Sequence, residues 1–215
     1  GTSWLFILIY FLLLALLKDF IRILHITPPG TFTHYTRDNW MGLIFAVSFV
    51  SRVMVCGYLK YRWKVRVEVP VTIEKTIEKH DSLKIVAISD LHLGYNIGAS
   101  ELIQWIDSIN KEKPDIVLIA GDIVDSSVRP LDTYNLASYF KQIKSTYGTY
   151  TCLGNHEYIS NLKERIRFIN EAGIYLLRDS AMLIDSSFYI VGRDDKMNPN
   201  RKPLKSLIED LDSSK

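Results

Sequence analysis

The stretch TYTCLGNHEY, Thr149 to Tyr158, decides how this chain is read. An apolar run, Tyr150 to Leu153, stops at Gly154, and an amide, an imidazole and a carboxylate follow without a gap: Asn155, His156 and Glu157. Glycine lets a backbone turn sharply, and in open α/β sheets ligands gather beyond the carboxyl ends of the strands. The run therefore reads as a buried strand that ends at a site. Two upstream segments repeat the pattern. KIVAIS, Lys84 to Ser89, reads as a buried strand followed by Asp90 and His92. DIVLIA, Asp115 to Ala120, reads as another, followed by Gly121, Asp122 and Asp125.

Amphipathic segments separate these strands. Ser100 to Asn110 places Leu102, Ile103, Ile106 and Ile109 on one helical face. Leu131 to Ser145 reads as a second helix, and Asn161 to Gly173 as a third that its glycine terminates. IYLL, AMLI and FYIVG then read as short strands, and LKSLIEDLDSSK as a final helix. Alternation of this kind predicts an α/β layered domain with parallel strands near its centre.

Toward the N-terminus, Val65, Val67, Val69, Val71 and Ile73 alternate with polar residues and Pro70, the pattern of a half-buried edge strand. The following EKTIEKHDS reads as a solvated connection, with His80 at the surface. Before Val65 the composition changes. Trp4 to Leu17 carries no charge and is rich in Leu, Ile and Phe, approaching the ~20 apolar residues that span a bilayer. A secretory signal peptide is the rival reading, although HITPPGTFTHY has no A-x-A-like cleavage site. A second apolar run, Asn39 to Tyr58, is interrupted by Arg52. Arginine at mid-helix costs about 2.5 to 3.5 kcal/mol on the insertion scale, which eight Leu, Ile, Phe and Val residues at about −0.3 to −0.6 each roughly cancel. Ser48, Ser51 and Arg52 form a polar stripe suited to a partner helix. Pro28 to Gly30 breaks any helix between the two runs. Lys60, Arg62, Lys64 and Arg66 follow the second run, but Lys18, Arg22 and Arg37 sit on its other side, so charge assigns no orientation. The expected organisation is a membrane region over 1–64, with candidate transmembrane helices at about 3–17 and 39–59, and the α/β layered domain over 65–215.

The 215 residues carry a net charge of +2, which leaves no electrostatic footprint for nucleic acid. The two cysteines, Cys56 and Cys152, fit neither a disulfide framework nor a thiolate metal knuckle.

Singly, each strand-end motif is weak, because capped turns carry the same residues. Jointly they present donors at the ends of three successive strands. Carboxylates so gathered repel one another unless a cation neutralises them. Carboxylate, imidazole and amide oxygen together suit Mn²⁺, Fe²⁺ or Zn²⁺.

SDLHLG, GDIVD and YGTYTCLGNHEY resemble the first three motifs of the calcineurin-like metallophosphoesterase family, and with the apolar leader its membrane-anchored bacterial branch. The resemblance covers Val65 to about Gly192. It implies two divalent ions, one held by Asp90 and His92, a second by Asn155, with Asp122 bridging both. It implies that His156 faces the phosphate and serves the leaving oxygen, with Asp125 and Glu157 as orienting residues behind the ligands. Two-metal hydrolysis follows from such a site. The family pattern continues with further histidines, whereas this sequence has none after His156. The domain is therefore expected to be C-terminally truncated, and the polypeptide inactive or nearly so without them. In VGRDDK, Arg193 or Asp194 has a similar counterpart near the substrate groove of relatives, but the residues themselves read first as a solvated turn. The leading expectation is a membrane-anchored, multi-pass phosphoesterase acting on a phosphorylated small molecule or lipid, with no nucleic-acid partner. A nuclease of the same chemistry and a non-catalytic sensor or scaffold remain open alternatives.

Overall fold

The computed structural model describes residues 3–24, 40–75, 80–159 and 161–215. His25, Pro28 to Gly30, His34 and Arg37 lie outside them. The chain forms two compact units, Gly1–Thr72 and Ile73–Lys215.

The first unit contains two helices, α1 (Ser3–Ile23) and α2 (Trp40–Arg62). At 1.5 Å per residue each is about 30 Å long, the thickness of a hydrocarbon core. Both run further than the apolar stretches alone indicate, α1 past Lys18 and Asp19 and α2 into Lys60 and Arg62. Their Leu, Ile, Phe and Trp side chains point outward, Trp4, Leu12, Leu43 and Phe45 among them. Both are long and apolar enough to cross a membrane. The alternating segment after α2 forms no strand. Val65, Val67, Val69, Val71 and Ile73 are all at least 67% exposed, so the expected half-buried strand is corrected. A period of two describes an extended chain, but a strand also needs a ladder partner, and none stands beside these residues among those described.

The second unit is an α/β layer. Strands β1 (Ile85–Ile88), β2 (Ile116–Ile119), β3 (Thr149–Thr151) and β4 (Tyr175–Leu176) form one parallel sheet in chain order. Ile85 pairs with Ile116, Val117 with Thr149, and Tyr150 with Tyr175. The crossovers carry α3 (Ala99–Glu112), α4 (Arg129–Thr133), α5 (Leu136–Phe140), α6 (Asn155–Ile159) and α7 (Leu162–Glu171). An antiparallel hairpin, β5 (Ser180–Ile184) and β6 (Phe188–Gly192), and a short helix α8 (Leu204–Ile208) follow.

Strand β2 shows how the layers are built. Val117 and Ile119 join a core with Leu102, Ile106 and Ile109 of α3 and Phe168 and Ile169 of α7. Ile116 and Leu118, on the opposite face, pack with Tyr150, Leu177 and the hairpin residues Met182, Ile184, Phe188 and Ile190. Alternate residues of one strand thus serve two cores. β1 departs from the buried strand expected of it, with Ile85 49% exposed. It lies at the sheet edge, and the hairpin covers β2 to β4 instead.

The expected helix over Leu131 to Ser145 is two short ones. Asn135 adopts a left-handed conformation (φ 48°) between them, which asparagine tolerates better than most residues. His80, expected at the surface, is half-buried. Its ring meets Tyr147 and Phe188 edge-on, and Nε2 lies 3.2 Å from Asp185 Oδ2.

Candidate metal centre

The segments leaving β1 and β2 stay paired beyond the strands. The His92 N–H donates to the Asp122 carbonyl at 3.0 Å, Leu93 to Ile123 at 2.8 Å, and Asp125 back to Leu93 at 3.0 Å. This zipper holds Asp90, His92, Asp122 and Asp125 side by side. Asp90, His92 and Asp122 have φ of 55°, 46° and 53°, a region that costs residues with a Cβ. Such outliers cluster where surrounding structure holds a site in place.

The end of β3 fits against the end of β2 with backbone touching backbone. A Cβ on Gly121, whose φ is +77°, would stand 2.6 Å from the Gly154 nitrogen. A Cβ on Gly154 would stand 2.7 Å from both Cγ and N of Asp122. Only glycine at both positions permits this approach.

Three of the expected site residues form one cluster. Ligand atoms of His92, Asp122 and His156 all lie within 4.8 Å of one another. The two imidazoles meet edge to face, with centroids 4.3 Å apart. Asp90 stands at the margin, its Oδ1 3.7 Å from His92 Nε2. Asn155 opens α6, the residue before His156. Asp125 Oδ1 lies 3.3 Å from His156 Nδ1 and 4.0 Å from His92 Nδ1, so it faces both rings.

Beneath them Glu157 is fully buried. Its carboxylate accepts four backbone N–H groups: Asp122 at 2.9 Å, Ile123 at 2.8 Å, Val124 at 3.1 Å and Gly154 at 2.8 Å. Above it the His156 N–H donates to Asp122 Oδ1 at 2.9 Å.

Two further features were absent from the sequence-based site. Arg165 of α7 is 1% exposed, and its Nη2 donates to the Asp125 carbonyl at 2.8 Å. Burial pulls its pKa down, opposed by the charges of Glu157, Asp125 and Asp122. It is thus a buried cation under an anionic site. The signal was its position on the apolar stripe with Leu162, Phe168 and Ile169, where an arginine implies a buried partner. The second is Asp194, fully buried rather than on a solvated turn. Cys152 also lies under the site. Burial raises its thiol pKa, the Cys152 backbone hydrogen bond acts against this, and Glu157 raises it further, the profile of an inert cysteine.

Two imidazoles and a carboxylate converging within ligand range, with the Asp90 carboxylate at their margin, fit a divalent transition ion. The calcineurin-like phosphoesterase family profile matches residues 83–210, the whole of this layered domain from β1 through α8. The chain belongs to that family.

Among the relatives of this chain, an uncharacterized metallophosphoesterase of Campylobacter jejuni is 43% identical over 82 residues, covering 38% of this chain and 21% of the relative. One from Aquifex aeolicus is 34% identical over 126 residues, 58% of this chain and 47% of the relative. A transmembrane protein with metallophosphoesterase domain from Danio rerio is 34% identical over 115 residues, 53% of this chain and 26% of the relative. The chain thus spans less than half the length of each. Metal binding is a property of the family, and His92 and Asp122, with His156 beside them, mark where this chain would express it.

Proposed function

We propose that this chain carries the metal-binding strand ends of a membrane-anchored phosphoesterase, which hydrolyses a phosphomonoester, phosphodiester or pyrophosphate bond by a two-metal mechanism. The observation that carries the reading is the convergence of His92, Asp122 and His156, from three successive parallel strands, within 4.8 Å. Asp90 and His92 would hold one ion, Asn155 the other, and Asp122 both. Divalent ions at such a site neutralise phosphoryl oxygens and lower the pKa of a water.

His156 acts at the leaving oxygen. Asp125 faces its Nδ1 at 3.3 Å, which fixes the ring and leaves Nε2 to meet substrate. Glu157 holds the backbone that presents Asp122. Mn²⁺, Fe²⁺ and Zn²⁺ all suit the donor set. The two apolar helices favour multi-pass insertion and a substrate at the bilayer surface, such as a lipid-linked phosphate.

A chain extended to carry the further histidines of the family pattern, supplied with Mn²⁺, is expected to hydrolyse bis-p-nitrophenyl phosphate, and Asp122→Asn in it to lose at least about a hundredfold in rate. Absence of hydrolysis with Mn²⁺, Fe²⁺ and Zn²⁺ alike, on mono-, di- and pyrophosphate substrates, would sink the reading.

A further inference from the structure

Helix α6 carries Asn155, His156 and Glu157 but has only five residues, Asn155–Ile159. A helix that short does not hold itself in water, so its place depends on tertiary bonds. Glu157 supplies one anchor through the four amides already described. Tyr158 supplies the other, on a different face.

The Tyr158 hydroxyl lies 2.7 Å from both carboxylate oxygens of Asp194, 36 residues away. Asp194 is fully buried and also accepts from Arg178 Nε at 2.5 Å, Asn198 Nδ2 at 2.8 Å and the Asp195 N–H at 2.9 Å. Arg178 Nη2 donates to the Tyr158 oxygen at 2.8 Å. Arginine only donates, so the tyrosine proton must point at Asp194. The Asp194 N–H in turn donates to Asp179 Oδ1 at 2.9 Å, tying the loop after β6 to the turn before β5. A buried carboxylate with every donor in place rigidifies what it touches.

We propose that Asp194 is a positioning residue of the metal centre, acting through Tyr158 to hold α6 and thereby His156 and Asn155 in register with Asp122. This rests on the metal-dependent reading above. Releasing Tyr158 frees α6 at one anchor. The His156 N–H bond to Asp122 Oδ1 then loosens with it, so the disturbance reaches the Asp122 carboxylate.

The test uses the whole chain in detergent, titrated calorimetrically with Mn²⁺ and loaded with Co²⁺ for its visible spectrum. Tyr158→Phe keeps the ring and removes the hydroxyl; Asp194→Asn removes the charge. Both are expected to weaken Mn²⁺ binding about tenfold, as loss of outer hydrogen bonds does at metal sites, and to change the Co²⁺ spectrum. Phe168→Leu, a core control that lowers Tm comparably, is expected to leave both readouts unchanged. If Asp194→Asn does not fold, Tyr158→Phe carries the test. Unchanged affinity and spectrum in Tyr158→Phe, or an equal change in Phe168→Leu, would overturn the positioning role and leave the metal reading intact. A wild-type chain that binds no Mn²⁺ overturns both.

Discussion

The carboxylate of Glu157 lies 2.9 Å from the backbone N–H of Asp122, 35 residues earlier in the chain. Through the neighbouring bonds to Ile123, Val124 and Gly154, one buried side chain joins the turns that follow β2 and β3. Asp122 therefore takes its place from Glu157 below and from the His156 N–H at its own carboxylate. Asp122, His156 and Glu157 are thus one hydrogen-bonded unit.

Glu157→Gln tests that unit. Glutamine keeps the shape, but its NH₂ end would face amide donors instead of accepting from them. With charge-assisted bonds contributing about 1.5 to 3 kcal/mol, the variant is expected to lose about 3 kcal/mol of stability in urea melts. It should also bind Mn²⁺ at least tenfold more weakly by calorimetry. Wild-type affinity in a folded variant would mean that Glu157 does not align the ligands.

Gly154→Ala addresses the close approach of the two strand ends. The added methyl would stand 2.7 Å from the nitrogen and Cγ of Asp122, where neither can withdraw without breaking a bond to Glu157 or His156. The expected outcome is a loss of Mn²⁺ affinity of more than tenfold. Gly57→Ala, with nothing within 4 Å of the new methyl, serves as the control without effect on metal affinity.

His156 separates ligand from acid. Asp125 faces its Nδ1 at 3.3 Å, an arrangement suited to proton transfer at Nε2. In a chain extended to carry the family's further histidines, His156→Gln is expected to lower kcat by about a hundredfold or more, within the range for loss of general acid catalysis, while Mn²⁺ affinity changes less than about threefold. A parallel collapse of affinity would make His156 an ion ligand.

The cluster of His92, Asp122 and His156 was legible because each follows an apolar run at a strand end, a local pattern. Glu157 was legible as an orienting residue only through the family resemblance, since its four partners come from the backbone and carry no side-chain signature. Asp194 was weighed only through the resemblance, as a residue near the groove, and its burial was not legible. Its partners stand 4, 16 and 36 positions away along the chain, and nothing in RDD distinguishes a buried carboxylate from a turn. Val65 to Ile73 misled for the opposite reason. Its local pattern was clear, but strand formation depends on a partner that the pattern does not specify.

The Tyr158 and Asp194 pair gives an alkaline signature. Burial, then the hydrogen bond to Asp194, pushes the Tyr158 pKa from 10.0 to about 12, against the opposing effect of Arg178. Between these values the unfolded phenol has lost its proton while the folded one keeps it. Its contribution to stability is therefore complete below pH 10 and declines as pH rises toward 12. One titrating group bounds the slope at about 1.4 kcal/mol per pH unit, and less for a side chain partly screened by solvent. Asp194 behaves oppositely. Burial acts to raise its pKa, but hydrogen bonds from Arg178, Tyr158 and Asn198 outweigh that and lower it. Its contribution is complete above the ordinary carboxylate pKa and is lost as acid passes below it. Urea midpoints from pH 9 to 11.5 should fall more steeply for wild type than for Tyr158→Phe, with the two curves converging at the alkaline end. Parallel curves would mean that the hydroxyl titrates as it does in the unfolded chain, and that the bond to Asp194 holds no proton in place.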